Sequence, residues 1–139
     1  MSFTRIIDSF KNEYRWLSNF WVYDEKTGMT VEHHYQAAKA TNAEDYSRIL
    51  MAPNPYEAKK LGGQIVCRSD WNDVKLVLME YFVKEKFIWN AQLAAKLKAT
   101  SDALLVEGNT WGDKFWGVCD GEGQNHLGKI LMRVRDEFL

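Results

Sequence analysis

Cysteine and proline are scarce in this chain, with two of each among 139 residues. Cys67 and Cys119 lie far apart and match no zinc spacing. They read as free thiols of a reducing compartment rather than a disulfide framework. No apolar run approaches the roughly 20 residues of a membrane span. The opening MSFTRIIDSFKNEY also lacks the apolar core of a signal peptide. A cytosolic protein without a membrane partner is therefore expected. An excess of charge is missing too: 18 basic residues face 19 acidic ones, for a net charge of −1. That balance argues against gripping nucleic acid through the whole surface, while leaving room for a local basic groove. Phosphate-loop and nucleophile-elbow motifs are absent. His33-His34 lacks the i, i+4 spacing of a helical metal pair, and DGEG lacks the remaining acids of a calcium loop, so no metal site is expected.

The composition that remains is that of a folded domain, 46% hydrophobic and 27% charged, and no linker or repeat divides it. One domain spanning 1–139 is expected. FTRII and FWVYD read as short strands, the second turning at EKTG. A helix should start near Val31 with Thr30 as its N-cap. EDYSRILM, PYEAKKL and NAQLAAKLKAT should be short helices, the second opened by Pro55 and closed by Gly62-Gly63. The longest helix should run from about Asp70 to Phe87, burying Val74, Val77, Leu78, Tyr81, Phe82 and Phe87. ALLVEG is strand-like. A last helix capped by Asn125 should bury Leu127, Ile130, Leu131, Val134 and Phe138. The expected fold class is α+β, mainly helical with a few short strands.

Two stretches could carry chemistry. In TVEHHYQAAKA, helical spacing puts Glu32, Tyr35, Gln36 and Lys39 on one stripe. Such a stripe is most often a solvent-facing, ion-paired face. Its four different hydrogen-bonding chemistries make an active-site face the alternative. In EGNTWGDKFWGVCDGEGQNHLG, the pairs Trp111-Gly112 and Trp116-Gly117 bracket Asp113. Glycines admit close backbone approach and tryptophans supply flat walls, so this loop reads either as a ligand pocket or as a Trp-rich plug. Its end at Asn125 leads into a helix N-terminus, where amide N–H groups favour an anion. Arg15 and Asn19, polar within the aromatic YRWLSNF, are further contact candidates. Trp71, at the start of the long helix, reads by position as core.

The ordered blocks YRWLSNF, TVEHHYQAAKA, NPYEAKKLG, LLVEGNTWGDKFWGV and GQNHLGKILMRVR resemble the YbiA/NADAR family of N-glycosidases over nearly the whole chain. The resemblance implies a mainly helical α+β domain that hydrolyses N-glycosidic bonds to ribose, with no cofactor. It implies Glu32, Lys39 and Asp113 as catalytic residues, with Lys39 acting covalently. It also points to Trp71 and Trp116, which would wall the base or ribose. For such a reaction Asn19, Tyr35 and Gln36 would contact the hydroxyls. One branch of the family acts on phosphoribosylamino-pyrimidine intermediates of riboflavin synthesis. Another removes ADP-ribose from guanine and accompanies toxin or phage-defence systems. The EGNTWGDKFWGV wording is closer to the second branch, so ADP-ribosylated guanine is the expected substrate, with the riboflavin intermediate as the alternative. A non-catalytic ADP-ribose or nucleotide-binding module is the competing class. Three positions depart from the family pattern. Asn12 replaces a common Gly, His34 replaces a small residue, and Gly62-Gly63 replaces a Gly-Arg pair, so phosphate would need Arg15, Arg68 or Lys59.

Overall fold

Helix N-caps set most of the fold. The computed structural model describes residues 5–139, which group into two compact units, residues 19–82 and residues 5–18 with 83–139. Phe3 and Thr4 of the expected first strand lie outside the described residues.

In residues 19–82, three helices start the same way. Helix α1 (Val31–Ala37) is capped by Thr30, α2 (Ala43–Leu50) by Asn42 and α3 (Pro55–Gly62) by Asn54. Each cap side chain accepts the N–H three residues on, which satisfies one orphan donor of the first turn. Pro55 sits in the first turn of α3, where its missing N–H costs nothing. The three helices meet at Ala37, Ile49 and Ala58, all fully buried, with Leu50, Ala52, Leu61 and Ile65 around them. Two of those contact residues are alanines, so the helices approach closely.

The FWVYD strand does not form. Its residues are loop apart from a single bridge between Asp24 and Met29, across a turn in which Gly28 adopts φ +72°. The aromatic rings are fixed by side-chain packing instead: Phe20 lies edge-on to Tyr56 at 4.8 Å, and Tyr23 stacks near His34. Gly63 closes α3 at φ −79°, so no left-handed cap is used.

Helix α4 (Trp71–Ile88) begins in this unit and ends in the other. Met79, Val83 and Phe87 are its buried apolar positions, whereas Val77 is 72% exposed and Tyr81 54%. The expectation that Val77 and Tyr81 are core is corrected by the register of the helix: Met79, Val83 and Phe87 recur every four residues on its buried side.

In the other unit, β1 (Ile6–Ile7) pairs in parallel with β2 (Leu104–Leu105). Alternation holds even in these two-residue strands, with Ile7 and Leu105 buried and Ile6 and Leu104 outside. Helix α5 (Ala91–Ala99) is capped by Asn90, and α6 (His126–Phe138) follows Asn125. A 3-10 helix covers Asn12–Leu17. Leu127, Ile130, Leu131 and Val134 of α6 are buried as expected. Phe138 is not: it is 43% exposed, with the Lys84 ammonium 4.2 Å from its ring centre. Arg135 takes the buried place, donating to Thr100 Oγ1 at 3.0 Å and to the Ala103 carbonyl at 2.8 Å.

Candidate active site

Both sides of α1 are buried, so the polar stripe is not a solvent face. Glu32 and Tyr35 are each 7% exposed and Gln36 is 4% exposed. The opposite side is anchored by His33, whose Nε2 lies 3.0 Å from the Ala52 carbonyl and Nδ1 2.8 Å from Thr30 Oγ1. A carbonyl only accepts, so Nε2 carries the proton and Nδ1 accepts from the threonine hydroxyl. His34 lies between Tyr23 and Phe82, with burial lowering its pKa below the ordinary 6.5. Among the described residues no group of three His, Cys, Asp or Glu could hold a metal.

Along the stripe, the Glu32 N–H donates to the Asn19 carbonyl at 3.1 Å, which joins the preceding loop to the first turn of α1. The Asn19 amide reaches Met79 Sδ at 3.4 Å. One turn further on, Gln36 Nε2 donates to Glu32 Oε1 at 2.7 Å. Gly62 of α3 provides the space for Gln36, because a Cβ built there would overlap the Gln36 side-chain carbonyl.

Lys39 does not continue the helical stripe. Helix α1 ends at Ala37, and a tightened turn, with the Lys39 N–H donating to the Gln36 carbonyl at 3.2 Å, sets its backbone. The Lys39 carbonyl accepts from Arg68 N–H at 2.8 Å, which ties down the loop of residues 64–70. Its ammonium nevertheless reaches the stripe. Nζ lies 5.5 Å from the Tyr35 ring centre and 5.8 Å from that of Trp71. The two rings are 5.0 Å apart and tilted by 58°. Burial lowers the Lys39 pKa below the ordinary 10.5, Glu32 opposes that shift, and Lys59 and Lys75 add to it. The unit therefore gathers Glu32, Tyr35, Gln36, Lys39 and Trp71, an amine and a carboxylate within electrostatic reach beside two aromatic rings. Arg68 is not available as a loose cation, since Nε and Nη2 hold both oxygens of Asp70 at 2.5 and 2.9 Å.

The second stretch lies in the other unit and is a tightly bonded loop. Asp113 Oδ1 accepts from the N–H groups of Phe115 at 3.1 Å and Trp116 at 2.9 Å. Asn109, which drew no attention in the sequence, clamps the turn: Nδ2 donates to the Asp113 carbonyl at 2.8 Å and Oδ1 accepts the Asp113 N–H at 3.0 Å. Gly117 is required by packing, because a Cβ there would overlap Glu107 and Asn109. Trp116 stands edge-on to Phe115 at 4.9 Å. Asn125 holds a left-handed conformation at φ +52° and its side chain does not cap α6. It accepts from Glu107 N–H at 2.9 Å and donates to the Leu105 carbonyl at 2.9 Å, pinning the end of β2. Arg15 is exposed on the 3-10 helix.

The sequence model of the NADAR domain family matches residues 7–139, across both units. The chain belongs to the NADAR family. It is 43% identical over 115 residues to an N-glycosidase of Nostoc punctiforme, covering 78% of this chain and 73% of that protein. It is 35% identical over 137 residues to the N-glycosidase YbiA of Escherichia coli, covering 94% and 85%. A riboflavin biosynthesis protein of Vibrio vulnificus is 40% identical over 110 residues, covering 77% of this chain but 30% of that longer protein. The NMR structure of E. coli YbiA superposes with a TM-score of 0.83 at 32% identity, over 99% of this chain and 87% of that one. The expected mainly helical α+β fold agrees with this likeness. The NADAR chain has no helix long and apolar enough to cross a membrane among its described residues.

Proposed function

We propose that this NADAR protein hydrolyses the N-glycosyl bond of a phosphorylated N-riboside, with Lys39 and Glu32 carrying the chemistry. The class of reaction, hydrolysis of N-glycosyl bonds, is that of the Nostoc and E. coli relatives. The observation that carries the residue assignment is the Lys39 amine beside the Tyr35 and Trp71 rings, its pKa lowered by burial and Glu32 within its field.

In the net reaction water adds across the C1′–N bond, with hydroxyl going to carbon and a proton to the leaving nitrogen. Positive charge develops on the sugar and negative charge on the base, so the site must supply a nucleophile and a proton. A lysine with a lowered pKa holds more of its amine unprotonated and can attack C1′ of the opened sugar. The C1′–N bond then breaks, the base leaves with a proton, and water hydrolyses the remaining lysine imine to free sugar and amine. Glu32 takes the proton from the attacking group and returns it to the base or sugar oxygen. Tyr35 and Trp71 border the base. Lys59 and Lys75, whose charge reaches Lys39, favour a substrate that bears phosphate. Asp113 and Trp116 are retained as a catalytic and a wall residue on the family resemblance, and Asp113→Asn tests the first of these.

For the substrate, a phosphoribosylamino-pyrimidine comes first, because the Vibrio relative is named for riboflavin biosynthesis. Removal of ADP-ribose from guanine is the second reading, favoured by the wording of EGNTWGDKFWGV. A toxin or defence partner belongs to that second reading alone. A pure binding module is disfavoured by Lys39, since a lysine with a lowered pKa is a poorer phosphate ligand than an ordinary one.

The test is a side-by-side assay of purified protein on a phosphoribosylamino-pyrimidine and on ADP-ribosylated guanosine. Base release from one of them is expected, together with loss of release in Lys39→Ala and Glu32→Gln at unchanged folding. Borohydride added during turnover should trap an adduct on Lys39. Binding of both compounds without base release would make the protein a module. Full activity in both variants would remove these residues from the mechanism.

A further inference from the structure

The amide of Gln36 is buried with one end used and the other unused. Nε2 donates to Glu32 Oε1 at 2.7 Å, while Oε1 has no hydrogen-bond partner among the described residues. The two side chains stand at i and i+4 on α1, where helix geometry brings them together. The orientation of the amide follows from chemistry: an ionised carboxylate only accepts, so the NH2 end must face Glu32. Turning the amide over would set two oxygens against each other. A buried acceptor left unpaired works against folding, and an apolar side chain of the same length would avoid that loss. The gain must therefore lie at Glu32.

Gly62 gives Gln36 the room for this conformation. Oε1, Cδ and Cβ of Gln36 all lie against Gly62, near enough that a methyl group there would overlap them. Gln36 thus lies against Gly62 of α3, and among the described residues the one polar contact of its side chain is with the carboxylate. Glu32 is held at its backbone by the Asn19 carbonyl and lies in the field of Lys39. The Gln36 amide adds a contact on the Glu32 side chain, at Oε1.

We propose that Gln36 is a positioning residue that orients the Glu32 carboxylate, rather than a substrate ligand, and that Gly62 makes this placement possible. The role rests on the hydrolase reading above.

The test is Gln36→Met, which keeps the volume and removes the amide. Turnover should fall about tenfold or more, as expected for one lost hydrogen bond to a charged group, with KM within about twofold. The melting temperature should hold or rise, because the unpaired carbonyl is gone. The carboxyl of Glu32, followed by carbon-detected NMR, should titrate about one pH unit higher without this donor. A residue that only supported the fold would instead lose melting temperature and turnover together, with the Glu32 titration unmoved. A rise in KM at constant kcat would mean that Gln36 touches substrate. Either result overturns the proposal.

Gly62→Ala supplies an independent arm. Alone, it should reproduce the loss of turnover by displacing Gln36. Combined with Gln36→Ala, which leaves space for the methyl, it should cost little more than Gln36→Ala by itself. Additive losses would overturn the link. If wild-type protein releases no base from either substrate, the hydrolase reading fails, and the Glu32 titration still decides whether Gln36 controls that carboxylate.

Discussion

Lys86 is 2% exposed, and its ammonium donates to the Ser18 carbonyl at 3.0 Å and lies 5.1 Å from the Phe87 ring centre. Burial lowers its pKa from the ordinary 10.5 to about 7. Below about pH 7 the lysine is charged in the folded and unfolded chain alike, and above 10.5 it is neutral in both. Between those values the unfolded chain holds a proton that the folded chain lacks, so stability rises with pH across the window. At about 1.36 kcal/mol for each pH unit, the interval amounts to about 5 kcal/mol, the cost of keeping the charge buried at and below neutrality. Lys86→Met removes that cost and leaves the Ser18 carbonyl without this donor, a loss of about 1–3 kcal/mol. The variant should therefore be more stable than wild type by about 2–4 kcal/mol at pH 7. The two should become equal between about pH 8 and pH 10, as the cost of removing the unfolded chain's Lys86 proton falls toward zero. Urea denaturation followed by tryptophan fluorescence, at steps from pH 6.5 to 9.5, measures both curves. Parallel curves, or a variant less stable at pH 7, would refute the reasoning.

Three further outcomes are expected. The pH–rate profile should carry a rising limb below the ordinary lysine value of 10.5, from the neutral amine of Lys39, and Trp71→Ala should move that limb upward by letting water in. Asp113→Asn keeps an oxygen for the Phe115 and Trp116 N–H groups and should melt as wild type while losing turnover; Asp113→Ala should also lose about 1–2 kcal/mol, read from thermal melts. Arg135→Met strips the donor from the Ala103 carbonyl and the Thr100 hydroxyl, and should cost about 2–4 kcal/mol in urea denaturation.

Elements whose signals are local could be read from the chain. Thr30 marks a helix start because a cap acts within four residues, and Pro55 likewise fixes the start of α3. Asn125 precedes α6 without capping it, its side chain being taken by Glu107 and Leu105. The candidate site's amine, carboxylate and Tyr35 ring were legible as residue types at helical spacing, whereas Trp71 read by position as core and entered through the family resemblance. The geometry of the group was not legible. Lys39 leaves the helix because the loop of residues 64–70 holds its carbonyl through Arg68, a contact 29 residues away in sequence. FWVYD has the composition of a strand, yet its rings pack on Tyr56 and His34 rather than beside a partner strand. Val77 and Tyr81 fit the helical period but lie off the buried row of Met79, Val83 and Phe87. Gly62 reads as a stop signal, and only the structure links it to Gln36.

The departures from the family pattern differ in consequence. Asn12 occupies φ +53°, a conformation that Gly takes freely and Asn tolerates, so that change is conformationally conservative. His34 fills the space between Tyr23 and Phe82. Gly63 stands where the family resemblance expects an arginine. With Arg68 engaged by Asp70, the positive field at Lys39 comes from Lys59 and Lys75. Lysines are flexible point charges, whereas an arginine fork fixes a phosphate at two oxygens. Gly63 stands at φ −79°, and a Cβ there meets nothing closer than the Lys60 carbonyl at 3.6 Å. Gly63→Arg should therefore fold normally, with stability gained by about 0.4–1 kcal/mol from the stiffer unfolded chain. If the substrate's phosphate lies at this end of α3, KM should fall severalfold at constant kcat, and the gain should shrink as salt is raised. A KM that does not move, in a variant that folds and turns over normally, would place the phosphate elsewhere and remove Lys59 from its binding.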